Sequence, residues 1–429
     1  MPTQPLTEEY EPISGRAKAA FALLFCLNLA NFIDRWSLSS FLPLISRELA
    51  LTDAQAGSLG SLFLVSLMMA NFLLGHRLDP LPRWKTLGVT CILWSCVAGM
   101  GAFSPNFAFL GSTRLMLGAA EAIYSAIAPI LVADLFPSRV RTRMMAAYAL
   151  AVPLGSALGF GLGGVLADGY GWRVGLMITG FGSAPRGVLA PFMREGEHPE
   201  GARPAGHMMR FAQAIKELLK DERYRWILLG SAGTTAALGA LGMFLPTDLQ
   251  RRFLLSEGQA GIVSGALLGL TAIVGTMGGG FFVEKREKTR PWLRYDVTAI
   301  SLAIGTALGA GYFFSSDLIV ALGFLALSIV FIFVHVGPVQ RAIIEQSPSH
   351  LRAWGFAFNV FLAHAIGDVW SQPVTGWLSD LGVAAGLSSA SAMRDALAMV
   401  AMPTFALAAI AFWRGGRVER REQAALSGN

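Results

Sequence analysis

Along nearly the whole chain, apolar stretches alternate with short polar connections. The stretches are about 20 residues or longer, the length a helix needs to cross a bilayer. Twelve can be read: 17–45, 54–78, 85–104, 107–136, 142–168 and 172–193, then 225–250, 257–284, 291–314, 316–345, 350–380 and 390–414. One connection is long. From Arg194 to Glu222 the chain is polar, with Glu195, Glu197, Glu200 and Pro204 ahead of an amphipathic stretch from Met208 to Leu219. This pattern predicts an all-α membrane protein of twelve transmembrane helices in two six-helix bundles. The first bundle is expected over 1–193, a linker over 194–224, and the second bundle with a short basic tail over 225–429.

Charge orients these helices. Basic residues gather in alternate connections: Arg16 and Lys18, Arg77 to Lys85, Arg139 to Arg143, the linker, Lys285 to Arg290, Arg352, and Arg414 to Arg421. The intervening connections hold only Arg47, Arg173, Arg251, Arg252 and Arg394, mostly beside an acid. By the positive-inside rule both termini are expected in the cytoplasm, and a bacterial inner membrane is the expected location. The net charge of +6 follows this topology and gives no reason to expect nucleic acid. Charged residues are 14% of the chain, against roughly 25% in soluble proteins. A mean hydropathy of +0.52 and 48 glycines fit helices that approach closely in lipid. Cys26, Cys91 and Cys96 lie in apolar runs and read as core residues, without a disulfide framework or metal site. Glu8, Glu9 and Glu11 precede the first span with no cleavage-like pattern, so that span itself is expected to direct insertion.

Against this background the charges inside spans stand out. Asp34 and Arg35 fall mid-way along the first span, where insertion scales put the cost of each at about 2.5–3.5 kcal/mol. Arg114 and Glu121 lie in the fourth. Seven residues turn a helix through about 700°, so both share one face about 10 Å apart. The four charges sum to zero, which suits a shared network between spans 1 and 4. Burial favours a neutral carboxyl and a nearby guanidinium favours the anion, so a site that opens to alternate sides can couple protonation to motion. A static cluster that fixes helix packing is the alternative. Arg114, nearer the interface, is expected to reach partly toward it. The second half offers His335 and Arg341 in the tenth span, and His364, Asp368 and Ser371 in the eleventh, as a secondary cavity. His364 and Asp368 share a helix face, as a proton-sensitive pair or a structural hydrogen bond. No ligand spacing suggests a metal, and no cofactor is implied. Pro129, Pro153, Pro338 and Pro373 fall inside spans and are expected to kink them.

The halves also echo one another. Gly75-His-Arg-Leu-Asp79, followed by Arg83, ends the second span as Gly280-Phe-Phe-Val-Glu284-Lys285-Arg286 ends the eighth. Val165 to Asp168 ends the fifth as Trp377 to Asp380 ends the eleventh. An anion at a helix C-terminus opposes the dipole, so Asp79 is expected to pair with Arg143 or with the start of the eleventh span. Gly75, Asp79, Arg83, Arg143 and Glu284 would then form a cytoplasmic gate; a purely topological role for the loop charges is the alternative. The loop resembles the signature of the major facilitator superfamily, with Pro80 and Pro82 departing from it. A closer resemblance, to the spinster family, rests on three stretches. These are Asn31-Phe-Ile-Asp34-Arg35, Arg114-Leu-Met-Leu-Gly118-Ala-Ala-Glu121 with Tyr124, Ser125 and Pro129, and His364-Ala-Ile-Gly367-Asp368-Val-Trp-Ser371. Pro373 falls one place later than in the family.

That resemblance implies a secondary transporter of lysophospholipids or sphingolipids. Protonatable residues would stand at Asp34 and Glu121, supported by Arg35 and Arg114, in a protein that works as a monomer. From the residues alone the reading stops at an amphiphile or small organic solute moved by alternating access, with protons as the coupled species. The glycine pattern of drug exporters and the loops of sugar porters are absent, and no serine or cysteine nucleophile lies within a turn of His335 or His364. A uniporter or passive channel stays open as an alternative.

Overall fold

The structure, a computed structural model, describes residues 13–74, 81–193, 211–284 and 290–427. Among these residues every regular element is helical. The first half comprises α1 (Gly15–Glu48), α2 (Asp53–Leu74), α3 (Arg83–Met100), α4 (Phe107–Leu135), α5 (Ser138–Ala149), α6 (Ala151–Phe181) and α7 (Ala184–Leu189). A short α8 (Phe211–Leu218) precedes the second half. That half holds α9 (Glu222–Phe253), α10 (Glu257–Gly265), α11 (Thr271–Glu284), α12 (Leu293–Phe314), α13 (Leu318–Phe333), α14 (Val336–Gln346), α15 (Arg352–Ile366), α16 (Asp368–Ala384) and α17 (Ser389–Ser427).

Polar residues in the connections start the helices by meeting backbone N–H groups that have no partner within the first turn. Ser14 accepts from Ala17 at 3.1 Å, Asn106 from Phe109 at 3.0 Å, and Asp317 from Val320 at 2.9 Å. Ser256 and Gln259 form a reciprocal capping box at α10. Pro129 and Pro373 do lie inside α4 and α16. Pro153 and Pro338 interrupt their spans as expected: α5 gives way to α6 at Leu150, and α13 to α14 at Val334 and His335. A proline cannot bond the carbonyl four residues back and crowds it, so each stands as the third residue of a new helix, where the N–H would have no helical acceptor.

Ten of the described stretches are long and apolar enough to cross a membrane. One of them, Ser138–Phe192, reverses at Gly171, whose φ of +77° an L side chain adopts only with strain, and so makes two crossings. Before the reversal Gly155 lies on Leu29 and Phe32 and Gly163 on Ser37, parallel to α1; after it, Gly180 lies on Ala98 and Gly187 on Cys91, antiparallel to α3. The eleventh crossing is divided at Gly367 into α15 and α16, each too short to span alone. Twelve crossings result, and both described ends, Ile13 and Ser427, lie at one end of the bundle, called here the terminal end.

The core is divided unevenly. At the far end, Leu38, Phe41, Leu42, Ile45, Ala167 and Trp172 of the first half merge into one cluster with the core of the second. Toward the terminal end, Leu24, Leu27, Trp84, Leu87, Cys91, Tyr124 and Ile127 form a first-half cluster of their own. The halves are thus packed together at the far end and separate toward the terminal end.

Candidate functional site

The four intramembrane charges of the first half converge. Arg35 donates from Nη2 to Glu121 Oε2 at 3.0 Å. Its guanidinium lies over the Phe32 and Phe63 rings, 4.9 and 4.8 Å from their centroids, which favours the cation and fixes its plane. Glu121 is 1% exposed and Asp34 4%. Asp34 accepts from the Trp94 indole N–H at 3.1 Å, and Trp94 itself packs edge-on against Tyr124. Arg114 does not reach the interface. It is 2% exposed, with Gly101 leaving room beside its Nη2, so the guanidinium stays inside the bundle.

Both halves line a cavity of about 110 Å³ beside these groups. Arg35, Trp36, Phe63, Leu64 and Arg114 face it from the first half, and Met243, His364, Asp368 and Gln372 from the second. His364 Nδ1 and Asp368 Oδ2 are 2.7 Å apart, and Gly239 leaves space on α9 for the Asp368 carboxyl. Around the cavity, buried polar atoms stand without partners: Asp34 Oδ1, Arg35 Nε, Arg114 Nε and Nη2, Glu121 Oε1, Asp368 Oδ1 and Gln372 Oε1. An unmet buried polar group costs about 1–3 kcal/mol, more when charged, so their concentration at the junction of the halves is the site's most telling property.

The other expected residues lie apart. Ser371 is fully buried behind Asp368, and His335 is held on the Ile332 carbonyl at 2.5 Å inside the second bundle. Arg341 pairs with Glu345 at 2.9 Å toward the terminal end. None of these three lines the cavity. Arg83 bonds Asp134 at 2.5 Å within the first half, and Arg143 is exposed. Gly75, Asp79 and the Glu284 side chain fall outside the described residues.

A cluster missing from the sequence reading closes the far end. Asp380, near the end of α16, accepts from the backbone N–H groups of Asp53 and Ala54 at 2.9 Å each, at the start of α2. Arg251 forks onto Asp53 with two bonds of 2.7 Å, and Ser379 adds a third at 2.7 Å. The equivalent residue of the first half, Asp168 at the end of the fifth crossing, accepts from Ser256 at 2.9 Å at the start of α10. The repeated acids at the ends of crossings five and eleven were the available signal. Trp94 gave none, being one more tryptophan in an apolar run.

Comparison with known proteins adds three findings. The sequence matches the Major Facilitator Superfamily over residues 24–368. It is 26% identical over 401 residues to protein spinster homolog 3 of Danio rerio, covering 88% of this chain and 80% of that one. It is 27% identical over 382 residues to a sphingosine-1-phosphate transporter of the same organism, covering 82% and 74%. Among solved structures, a bacterial homologue of the human lysosomal transporter spinster, inward-facing and unoccupied, superposes with a TM-score of 0.80 at 19% identity. That superposition covers 94% of this chain and 96% of the other.

Proposed function

The chain belongs to the Major Facilitator Superfamily, and from that premise we propose that it carries amphiphilic lipids, of lysophospholipid or sphingolipid type, by proton-coupled alternating access. It is a multi-pass membrane transporter related to the spinster proteins, and not an enzyme. The observation that carries the reading is the group of buried charged side chains with unmet polar atoms at the cavity between the halves, Arg35, Arg114 and Asp368 lining it and Asp34 and Glu121 buried in the first half beside it. Such groups persist in a membrane where they serve a pathway.

In this reading Asp34 and Glu121 are the proton-binding groups, and Arg35 and Arg114 supply the opposing charge. Glu121 in its ionised form holds Arg35; on protonation that bond weakens and the guanidinium becomes free for an anionic head group. Phe63, Leu64, Leu117 and Met243 offer apolar surface for a chain beside those charges. His364 and Asp368 form the facing wall. The closed far end corresponds to an inward-facing state if the terminal end is cytoplasmic, as the basic connections argue. The Gly75–Arg83 loop with Arg143 and Glu284 would close the opposite side. A monomer in a bacterial inner membrane suffices for this cycle.

The test is transport in reconstituted liposomes, using fluorescent lysophospholipid and sphingoid phosphate with and without an imposed pH gradient. Gradient-driven movement of either lipid is expected. Absence of movement for every lipid tried would overturn the substrate assignment, and equal rates with and without the gradient would favour a uniporter.

A further inference from the structure

A second cavity, of about 330 Å³, opens at the far end between α1 and α9, directly beside the Asp53–Arg251 pair. Its polar lining is Ser46, Arg47, Thr247, Gln250 and Arg251, so it holds two guanidiniums and no acid. Arg47 has no acidic partner among the described residues: its neighbour Glu48 is taken by Arg173 at 2.8 Å and by the Trp172 indole N–H. Thr247, 3% exposed, leaves its hydroxyl without a partner, and so does the Gln250 amide nitrogen. Hydrogen-bond donors from both halves therefore surround a space that no carboxylate enters, which is the chemistry of an oxyanion site.

We propose that this cavity binds a phosphate or phosphate-monoester group arriving from the far side, and that the bound anion competes with Asp53 for Arg251. Arg47 comes from the first half, and Thr247, Gln250 and Arg251 from the second. An anion seated among them draws Arg251 off the pair that locks α9 to α2, so ligand capture loosens the far-end closure. The effect on the closure rests on the alternating-access reading. The binding does not, and it is measured without transport.

The full chain is placed in nanodiscs of zwitterionic lipid and titrated calorimetrically with inorganic phosphate, with lysophosphatidate, and with a neutral monoacylglycerol as control. Saturable binding of phosphate is expected if a free anion suffices, and of lysophosphatidate alone if a lipid head group is needed. In either case Arg47→Gln weakens it at least tenfold, and Thr247→Val several-fold. Binding unchanged in Arg47→Gln, matched by the neutral control, or absent for both phosphates overturns the site. Spin labels at Ala50→Cys and Leu254→Cys, exposed on opposite halves, test the competition in a background lacking the three native cysteines. The distance between them should lengthen at saturating ligand. A fixed distance despite binding overturns the competition with Asp53.

Discussion

The Arg35 guanidinium, packed over two phenylalanine rings and bonded to Glu121, is a partly desolvated cation whose removal strands a buried acid. Losing one partner of such a pair costs about 3–5 kcal/mol when burial is complete. Arg35 is a quarter exposed, which places the expected loss at the lower end. Arg35→Gln should therefore lower the melting temperature in detergent by several degrees and abolish gradient-driven transport; an unchanged melting temperature would deny the pair its weight. Trp94 acts on Asp34 through one hydrogen bond. Trp94→Phe keeps a ring in the core and removes that bond, leaving both Asp34 carboxylate oxygens without a partner. Gradient-driven transport should fall about tenfold, with the fold intact by circular dichroism. Transport at the native rate would reduce Trp94 to a packing role. These charges were legible because a membrane span makes them expensive. Trp94 was not, since nothing in its run distinguishes it, and the burial of Arg114 depends on Gly101, a neighbour that only the folded bundle supplies.

Helix contacts at the far end are made by backbone, with little side-chain cushion. A Cβ at Gly376 of α16 would run into the Asp53 carbonyl of α2, and one at Gly164 into the Glu257 carbonyl of α10. Gly376→Val should prop the far end open, read as faster labelling of a cysteine placed at Ser379. Labelling as slow as in the cysteine variant alone would mean that α2 and α16 do not close this way. Arg251→Gln removes a forked bond between the halves. At about 1–3 kcal/mol it should shift the two-state population about 5- to 150-fold toward an open far end, measurable by spin-label distances; an unshifted population would make the fork incidental. Periodicity located the helices, the reversal between 168 and 172, and the proline breaks at Pro153 and Pro338, yet it missed the division of the eleventh crossing. Gly367 looks like any glycine in an apolar run. Asp53, Arg251 and Asp380 lie at span ends, where charges are ordinary. Only their meeting across the halves gives them significance.

At the scale of the molecule, the two bundles share a core at one end and diverge toward the other, with incompletely bonded buried charges near the junction. The six-plus-six division was legible from span lengths and one long polar connection. The closed end was not, because one sequence must encode both the closed and the open arrangement. Coupling requires that protonation of Asp34 or Glu121 changes which arrangement is preferred. The most direct measurement compares two modes of transport in liposomes for the native chain, Asp34→Asn and Glu121→Gln. These are accumulation of fluorescent lipid driven by a pH gradient, and lipid exchange at equal pH. Native protein should do both. Either variant should keep exchange, which needs only the rocking bundles, and lose gradient-driven accumulation at least tenfold. Accumulation that survives both substitutions would contradict proton coupling through this site.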